Sequence, residues 1–246
     1  MILGIIPARY ASSRFPGKPL IDIKGISMIQ RVYLQAKKSG SLDEVIVATD
    51  DERIKKHVEG FGGIAMMTKE DHPSGTDRCF EVLKKTGFAY QQVINIQGDE
   101  PFIDPSQIDL LASVLKDEEV ELATLVIPVD SHELLFSEGE VKVIVNSNME
   151  ALCFSRMAIP FLKNVDKREW HTRFKFLRHV GIYGYRADIL GKITQLKPSS
   201  LEMAESLEQM RWLENGYKIK VAETNHDSHC IDTPEDVERI LNYLGL

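Results

Sequence analysis

Three cations fall within ten residues near the amino terminus, in the stretch Pro7-Ala8-Arg9-Tyr10-Ala11-Ser12-Ser13-Arg14-Phe15-Pro16-Gly17-Lys18-Pro19-Leu20. Arg9 and Arg14 offer planar forks of donors and Lys18 a compact point charge. Small neighbours such as Ala8 and Ser12 let backbone N–H groups approach phosphate oxygens. That combination suits a polyphosphate, although the same residues also read as a solvated basic loop. The spacing is neither Gly-x-x-x-x-Gly-Lys-Ser/Thr nor Gly-x-Gly-x-x-Gly, so a P-loop or a dinucleotide turn has no motif support.

Two carboxylates from distant segments are candidate metal ligands: Asp99 in Gln97-Gly98-Asp99-Glu100-Pro101 and Asp232 in Asp232-Thr233-Pro234-Glu235-Asp236. Mg²⁺ takes oxygen donors and often only one or two protein carboxylates beside substrate phosphates. Turn chemistry for Asp99 and a helix-dipole role for Asp232 are the plainer alternatives. In His72-x-Ser74-Gly75-Thr76-x-Arg78, between a short strand and a helix, Ser74, Gly75 and the first helical N–H groups are placed to meet an anion such as a phosphate, with Arg78 on that phosphate or ordering the loop. Arg156, His179 and Tyr183 are residue types that bind a carboxylate and hydroxyls. Glu202, Glu205 and Glu208 recur every three residues, the spacing of a solvated helix face.

The elements that must position these groups alternate. Strands are predicted at Ile2–Pro7, Glu44–Thr49, Ile64–Thr68, Val93–Gln97 and Leu122–Val129, separated by helices at Ser27–Ser39, Asp51–Phe61, Thr76–Lys85 and Pro105–Lys116. Such alternation implies a mostly parallel sheet with ligands bound beyond the carboxyl ends of its strands. Asp99 and Asp232 both fall on that rim. Strands at Val141–Val145, Leu152–Ser155 and Val180–Arg186 follow without full helices between them, which implies an inserted antiparallel layer over residues 130–186 of one 1–246 domain. A helix over Ser200–Glu214, a strand at Lys218–Ala222 and a last helix capped by Thr233 return the chain to the α/β layer.

The chain has 246 residues, a formal charge of −7 and 43% hydrophobic residues. The length allows a sizeable core, and no apolar run approaches a membrane span of ~18 residues. An acidic chain is a poor nucleic-acid binder, so any anionic ligand must be met by local basic groups or a metal. The amino terminus lacks a basic n-region and a secretory apolar core, so a cytoplasmic protein is expected. Cys79, Cys153 and Cys230 show no metal or disulfide spacing and are expected to be reduced core thiols.

The opening loop resembles the Pro-Ala-Arg-x-x-Ser-x-Arg-x-Pro-Gly-Lys-Pro-Leu signature of the 3-deoxy-manno-octulosonate (Kdo) cytidylyltransferases. The His72–Arg78 and Asn95–Pro101 segments, Phe154-Ser155-Arg156, Arg178-His179-x-Gly181-Ile182-Tyr183, Leu207-Glu208-Gln209-x-Arg211 and Asp232–Asp236 are similar to that family in its order. Asp77 departs from the pattern, where Glu is the commonest residue. The resemblance implies a nucleotide-diphospho-sugar-transferase-like, Rossmann-like α/β fold, a homodimer, and a Mg²⁺-dependent reaction of CTP with Kdo that gives CMP-Kdo and pyrophosphate for lipopolysaccharide synthesis. By residue it implies that Ala8, Arg9, Ser12, Arg14, Lys18, Ser74, Gly75, Arg78 and Gln97 bind CTP, and that Gln97, Arg156, His179, Tyr183, Glu208 and Gln209 bind the sugar. Arg14, Lys18, Asp99 and Asp232 are the expected catalytic groups, both aspartates as metal ligands, with Glu202 and Glu205 left as surface.

The chemistry expected is in-line attack of the sugar's anomeric 2-hydroxyl on the α-phosphorus of CTP, with no covalent enzyme intermediate. Bringing a triphosphate to a sugar carboxylate needs the basic loop and a metal to neutralise charge, so positioning and electrostatics carry the catalysis. Rival readings are a cytidylyltransferase for an 8-amino Kdo analogue or a sialic acid, and a silent nucleotide-binding module. Sialate enzymes open with a loop resembling Pro-Ala-Arg-x-Gly-Ser-Lys-Arg instead.

Overall fold

The computed structural model describes residues 1–11, 15–227, 230–243 and 245. The chain gathers into two compact units, Met1–Ala112 with Ser228–Leu246, and Ser113–Asp227.

In the first unit, strand β1 (Ile2–Ala8) leads through a two-residue hairpin, β2 (Asp22–Ile23) and β3 (Ile26–Ser27), into helix α1 (Met28–Ala36). Strand β4 (Glu44–Thr49), helix α2 (Glu52–Gly60), strand β5 (Ala65–Met67), helix α3 (Gly75–Lys85), strand β6 (Gln92–Asn95) and helix α4 (Pro105–Val114) follow. β1 lies between β4 and β6, with β5 beyond β4, all parallel. Leu3, Ile5 and Ile6 of β1 and Val47 of β4 are fully buried, as the continuous apolar runs require for strands covered on both faces. Met28, Ile29 and Val32 bury the stripe of α1. Three helices start where a side chain accepts an otherwise unpaired N–H: Ser27 from Gln30, Asp51 from Arg53 and Ser74 from Asp77.

The second unit contains β7 (Leu122–Pro128), α5 (His132–Phe136), β8 (Lys142–Val145), β9 (Ala151–Ser155), α6 (Trp170–Arg173), β10 (Leu177–Arg186), α7 (Ala187–Ile193), α8 (Ser200–Glu205), α9 (Glu208–Glu214) and β11 (Ile219–Glu223). β7 pairs parallel with β11 and antiparallel with β10, and β8 pairs antiparallel with both β10 and β9. The antiparallel stretch expected over 130–186 therefore lies inside a larger unit, because β7 and β11 on either side of it join the same ladder. The single helix expected over Ser200–Glu214 is two: Ser206 adopts a left-handed conformation (φ 53°, ψ 47°) that no α-helix accommodates.

The chain returns to the first unit in helix α10 (Pro234–Tyr243). The Asp236 carboxylate accepts the backbone N–H groups of Asp232 and Thr233, both at 2.9 Å, the reach-back half of a capping box. Ile231 and Ile240 pack with Ile23 and Met28, which seats this helix on the hairpin and α1. The fold class is the expected one, α/β with parallel strands alternating with helices and an antiparallel portion. Of the three free cysteines only Cys79 is a core thiol; Cys153 is half-buried and Cys230 exposed, against expectation. Among the described residues no helix is long and apolar enough to cross a membrane.

Candidate active site

β1, β5 and β6 deliver loops from their carboxyl ends to one cleft of about 300 Å³ in the first unit, lined among others by Ala8, Arg9, Lys18, Ser74, Gly75, Arg78, Gln97, Asp99 and Asp232. Two close approaches shape its floor. Gly98 lies so near β1 that a Cβ there would stand 2.5 Å from the Pro7 carbonyl oxygen, and Gly75 sits against the Pro7 ring. The approach at Gly98 admits no side chain, so Gln97 and Asp99 are turned out at the strand end.

Asp99 and Asp232 come together through the backbone. The N–H of Ile231 donates to the Asp99 carbonyl at 2.9 Å, locking the segment before α10 onto the loop after β6. The Lys18 ammonium then donates to Asp99 Oδ2 at 2.8 Å and to Asp232 Oδ1 at 3.2 Å. Burial opposes the charge on Lys18, but Asp99, with help from Asp232, outweighs it and holds its pKa above the ordinary value. One carboxylate oxygen from each aspartate and the Cys230 sulfur lie within 4.8 Å of one another. The two carboxylates are the hard donors Mg²⁺ prefers, and a spot already built around one cation fits another; the thiol adds nothing for a hard ion.

The His72–Arg78 loop is rigidly held. Ser74 accepts the Asp77 N–H at 3.2 Å and donates its hydroxyl to Asp77 Oδ2 at 2.7 Å, so Asp77 has the helix cap as its partner. Arg78, almost fully buried, pairs with Asp50 at 2.8 Å and donates to the Thr68 hydroxyl, which makes it an organiser of the loop. His72 meets Glu81. Burial raises the Glu81 pKa, but hydrogen bonds from Lys85, the Lys69 N–H and His72 overcome that and hold it at about 2. Ser12 and Arg14 lie outside the described residues.

The remaining candidates sit in the second unit. A bulge in β10 between Val180 and Tyr183 leaves strand carbonyls out of register. The Thr124 hydroxyl fills the gap, donating to the Ile182 carbonyl at 2.7 Å, and so accepts from His179 Nε2 at 2.9 Å. The imidazole is thus the neutral Nε2–H tautomer, and burial takes its pKa down to about 3. The ring of Tyr183 stands 5.1 Å from those of His179 and Trp212. The Tyr183 hydroxyl and Trp212 Nε1 are buried without a protein partner among the described residues, a cost of ~1–3 kcal/mol each. Sequence reasoning missed Trp212, although it follows Glu208-Gln209-x-Arg211 directly. Gln209 is buried and Glu208 half-buried on α9.

Arg156 donates through Nε and Nη1 to the carbonyls of Glu205 and Glu138, at 2.9 and 3.0 Å. Glu202 and Glu205 are not solvated surface. Glu202 pairs with the largely buried Arg211, and Glu205 accepts from the Ser155 hydroxyl at 2.7 Å and the Arg156 N–H at 3.0 Å. The three-residue rhythm misleads because Ser206 ends the helix before Glu208.

Comparison with known proteins shows the family. The cytidylyltransferase family model matches residues 3–219, so the chain belongs to the cytidylyltransferase family. Within it, the chain groups with the 3-deoxy-manno-octulosonate cytidylyltransferases. It is 54% identical to that of Cytophaga hutchinsonii, over 97% of this chain and 96% of the relative. It is 52% identical to that of Parabacteroides distasonis, over 99% and 98%. A CMP:2-keto-3-deoxy-manno-octonic acid synthetase solved in complex with CTP superposes with a TM-score of 0.91 at 42% identity, covering 99% of this chain and 98% of the other. A glucose-1-phosphate thymidylyltransferase-like protein of Bacillus anthracis shares the fold, at 17% identity and a TM-score of 0.65 over 99% of this chain and 95% of the other.

Proposed function

We propose that this chain transfers CMP from CTP to the anomeric 2-hydroxyl of Kdo, releasing pyrophosphate, and that the first-unit cleft is where CTP binds. The observation that carries the site assignment is the convergence of Lys18, Asp99 and Asp232 on one spot beside the phosphate-compatible loops. Ala8, Arg9, Ser74, Gly75 and Gln97 contact the nucleotide, with Ser12 and Arg14 completing the basic loop; Arg78 holds the cleft wall through Asp50. Lys18 and Arg14 stabilise charge on the phosphates as pyrophosphate leaves. Gln97, Arg156, His179, Tyr183, Glu208 and Gln209 bind the sugar. His179, neutral and half-buried, binds and does not transfer protons.

Asp99 and Asp232 would hold a Mg²⁺, which would supply charge neutralisation for the phosphates and acidify a hydroxyl beside it. The chain's own contribution is to bring two carboxylates to one point and to keep a lysine beside them. Acting in the cytoplasm, the enzyme supplies activated sugar for lipopolysaccharide synthesis, and it works as a homodimer. Exposed Leu152, Phe161 and Met203 in the second unit, at 59, 72 and 67% exposure, support such a contact.

Calorimetric titration of CTP tests the cleft. With Mg²⁺ present, wild-type protein binds CTP and Lys18→Met weakens binding about tenfold or more, the loss of a charge-assisted contact. Equal CTP affinity in the two proteins would remove the cleft from the mechanism.

A further inference from the structure

Two adjacent acids after β4 each hold an arginine, and neither acid lines the cleft. Asp50 holds Arg78 at 2.8 Å. Asp51 caps α2 and takes the Arg53 guanidinium through Nε at 2.9 Å and Nη2 at 2.6 Å. So fixed, the guanidinium carbon stands 3.4 Å from the centroid of the Tyr10 ring. Tyr10 in turn closes the basic loop on itself. Its carbonyl accepts the Gly17 N–H at 3.0 Å. Gly17, at φ 73°, comes so close that a Cβ would lie 3.2 Å from the Tyr10 ring. The residues just outside this closure, Arg9 and Lys18, both line the cleft.

We infer that Tyr10 is a positioning residue for the transfer reaction: seated between Gly17 and Arg53, it fixes both ends of the basic loop so that Arg9 and Lys18 face the triphosphate together. The inference rests on the reading of the cleft as the CTP site. A loop that must gather two cations around a polyanion loses conformational freedom on binding, and one already closed loses less. Tyr10 needs no contact with substrate for this. The Asp51–Arg53 pair adds little stability on the surface, so its consequence is the orientation of the guanidinium over the ring.

Steady-state kinetics of Tyr10→Ala, Tyr10→Phe, Arg53→Ala, the Tyr10→Ala/Arg53→Ala double variant and Lys18→Met, with melting temperatures, test it. Tyr10→Ala and Arg53→Ala each raise the KM for CTP about two- to fivefold, the reach of an exposed cation–π contact, and leave the KM for Kdo unchanged. Tyr10→Phe keeps the ring and the carbonyl and behaves as wild type. The double variant is no worse than Tyr10→Ala, because both changes break one contact. An unchanged CTP KM in Tyr10→Ala, full additivity in the double variant, or a uniform loss that follows melting temperature overturns the inference. If Lys18→Met also leaves the CTP KM unchanged, the cleft reading has failed and the clamp with it; if Lys18→Met raises it while Tyr10→Ala does not, the clamp alone has failed.

Discussion

Lys18 shows how much one side chain depends on its surroundings. Its ammonium is worth keeping in a half-buried place only because Asp99 and Asp232 stand beside it, and the Ile231 N–H on the Asp99 carbonyl holds the two aspartates together. Asp99 therefore serves both the chemistry and the seating of Lys18. Asp99→Asn should abolish turnover and lower the melting temperature by about 2–4 °C, the effect of ~1 kcal/mol in a chain of this size; near-normal turnover at saturating Mg²⁺ would contradict a metal role. Glu202 serves the fold. It accepts the guanidinium of a largely buried Arg211, Nε at 2.7 Å, so Glu202→Ala leaves an uncompensated charge and should cost about 3 kcal/mol in a urea titration. A loss below about 0.5 kcal/mol would return Glu202 to the surface role its spacing suggested.

At the scale of elements, the strands and caps were legible because their causes are local. Apolar runs of four to seven residues, Ser27 as a cap and the Thr233-Pro234 start sit where the sequence places them, and Asp51 and Ser74 cap two further helices by the same local chemistry. What was not legible depends on contacts far along the chain. The break at Ser206 has no glycine or proline to announce it, and the bulge in β10 that aims His179 at Thr124 is set by register with β7. The basic loop and the two aspartates were readable as chemistry, but that Lys18 would bridge both aspartates, and that Arg78 would be taken up by Asp50, follows from three-dimensional packing. Gly98 is the element-scale test. An alanine there drives a methyl into the Pro7 carbonyl, where backbone must move, so Gly98→Ala should cost about 1–3 kcal/mol and displace Asp99 enough to lower turnover. Wild-type stability and turnover in that variant would show the approach to be loose.

For the molecule as a whole, stability should fall with acid in two overlapping stages. Burial lowers the His179 pKa from 6.5 to about 3, so the unfolded chain takes up a proton that the folded one refuses; stability is fully present above pH 6.5 and is lost as pH falls toward 3. Glu81, held at about 2 against an ordinary 4.5, contributes stability present above pH 4.5 and lost as pH falls toward 2. Urea midpoints followed from pH 7 to 4 should drop less steeply in His179→Gln, which keeps a donor for Thr124 and cannot titrate; identical slopes would contradict the neutral imidazole. Sedimentation should show a dimer that Leu152→Glu weakens without altering the melt of the monomer, Leu152 being 59% exposed. A monomeric wild type at all concentrations would contradict the proposed assembly. Pyrophosphate release with CTP and Mg²⁺, in the presence of Kdo, its 8-amino analogue, N-acetylneuraminate or no sugar, tests the proposed transfer itself. Turnover with Kdo that far exceeds the other three, and that disappears when CTP is replaced by another nucleotide, is the expected result; equal release without sugar, or none with Kdo by a protein that binds CTP, would contradict the account.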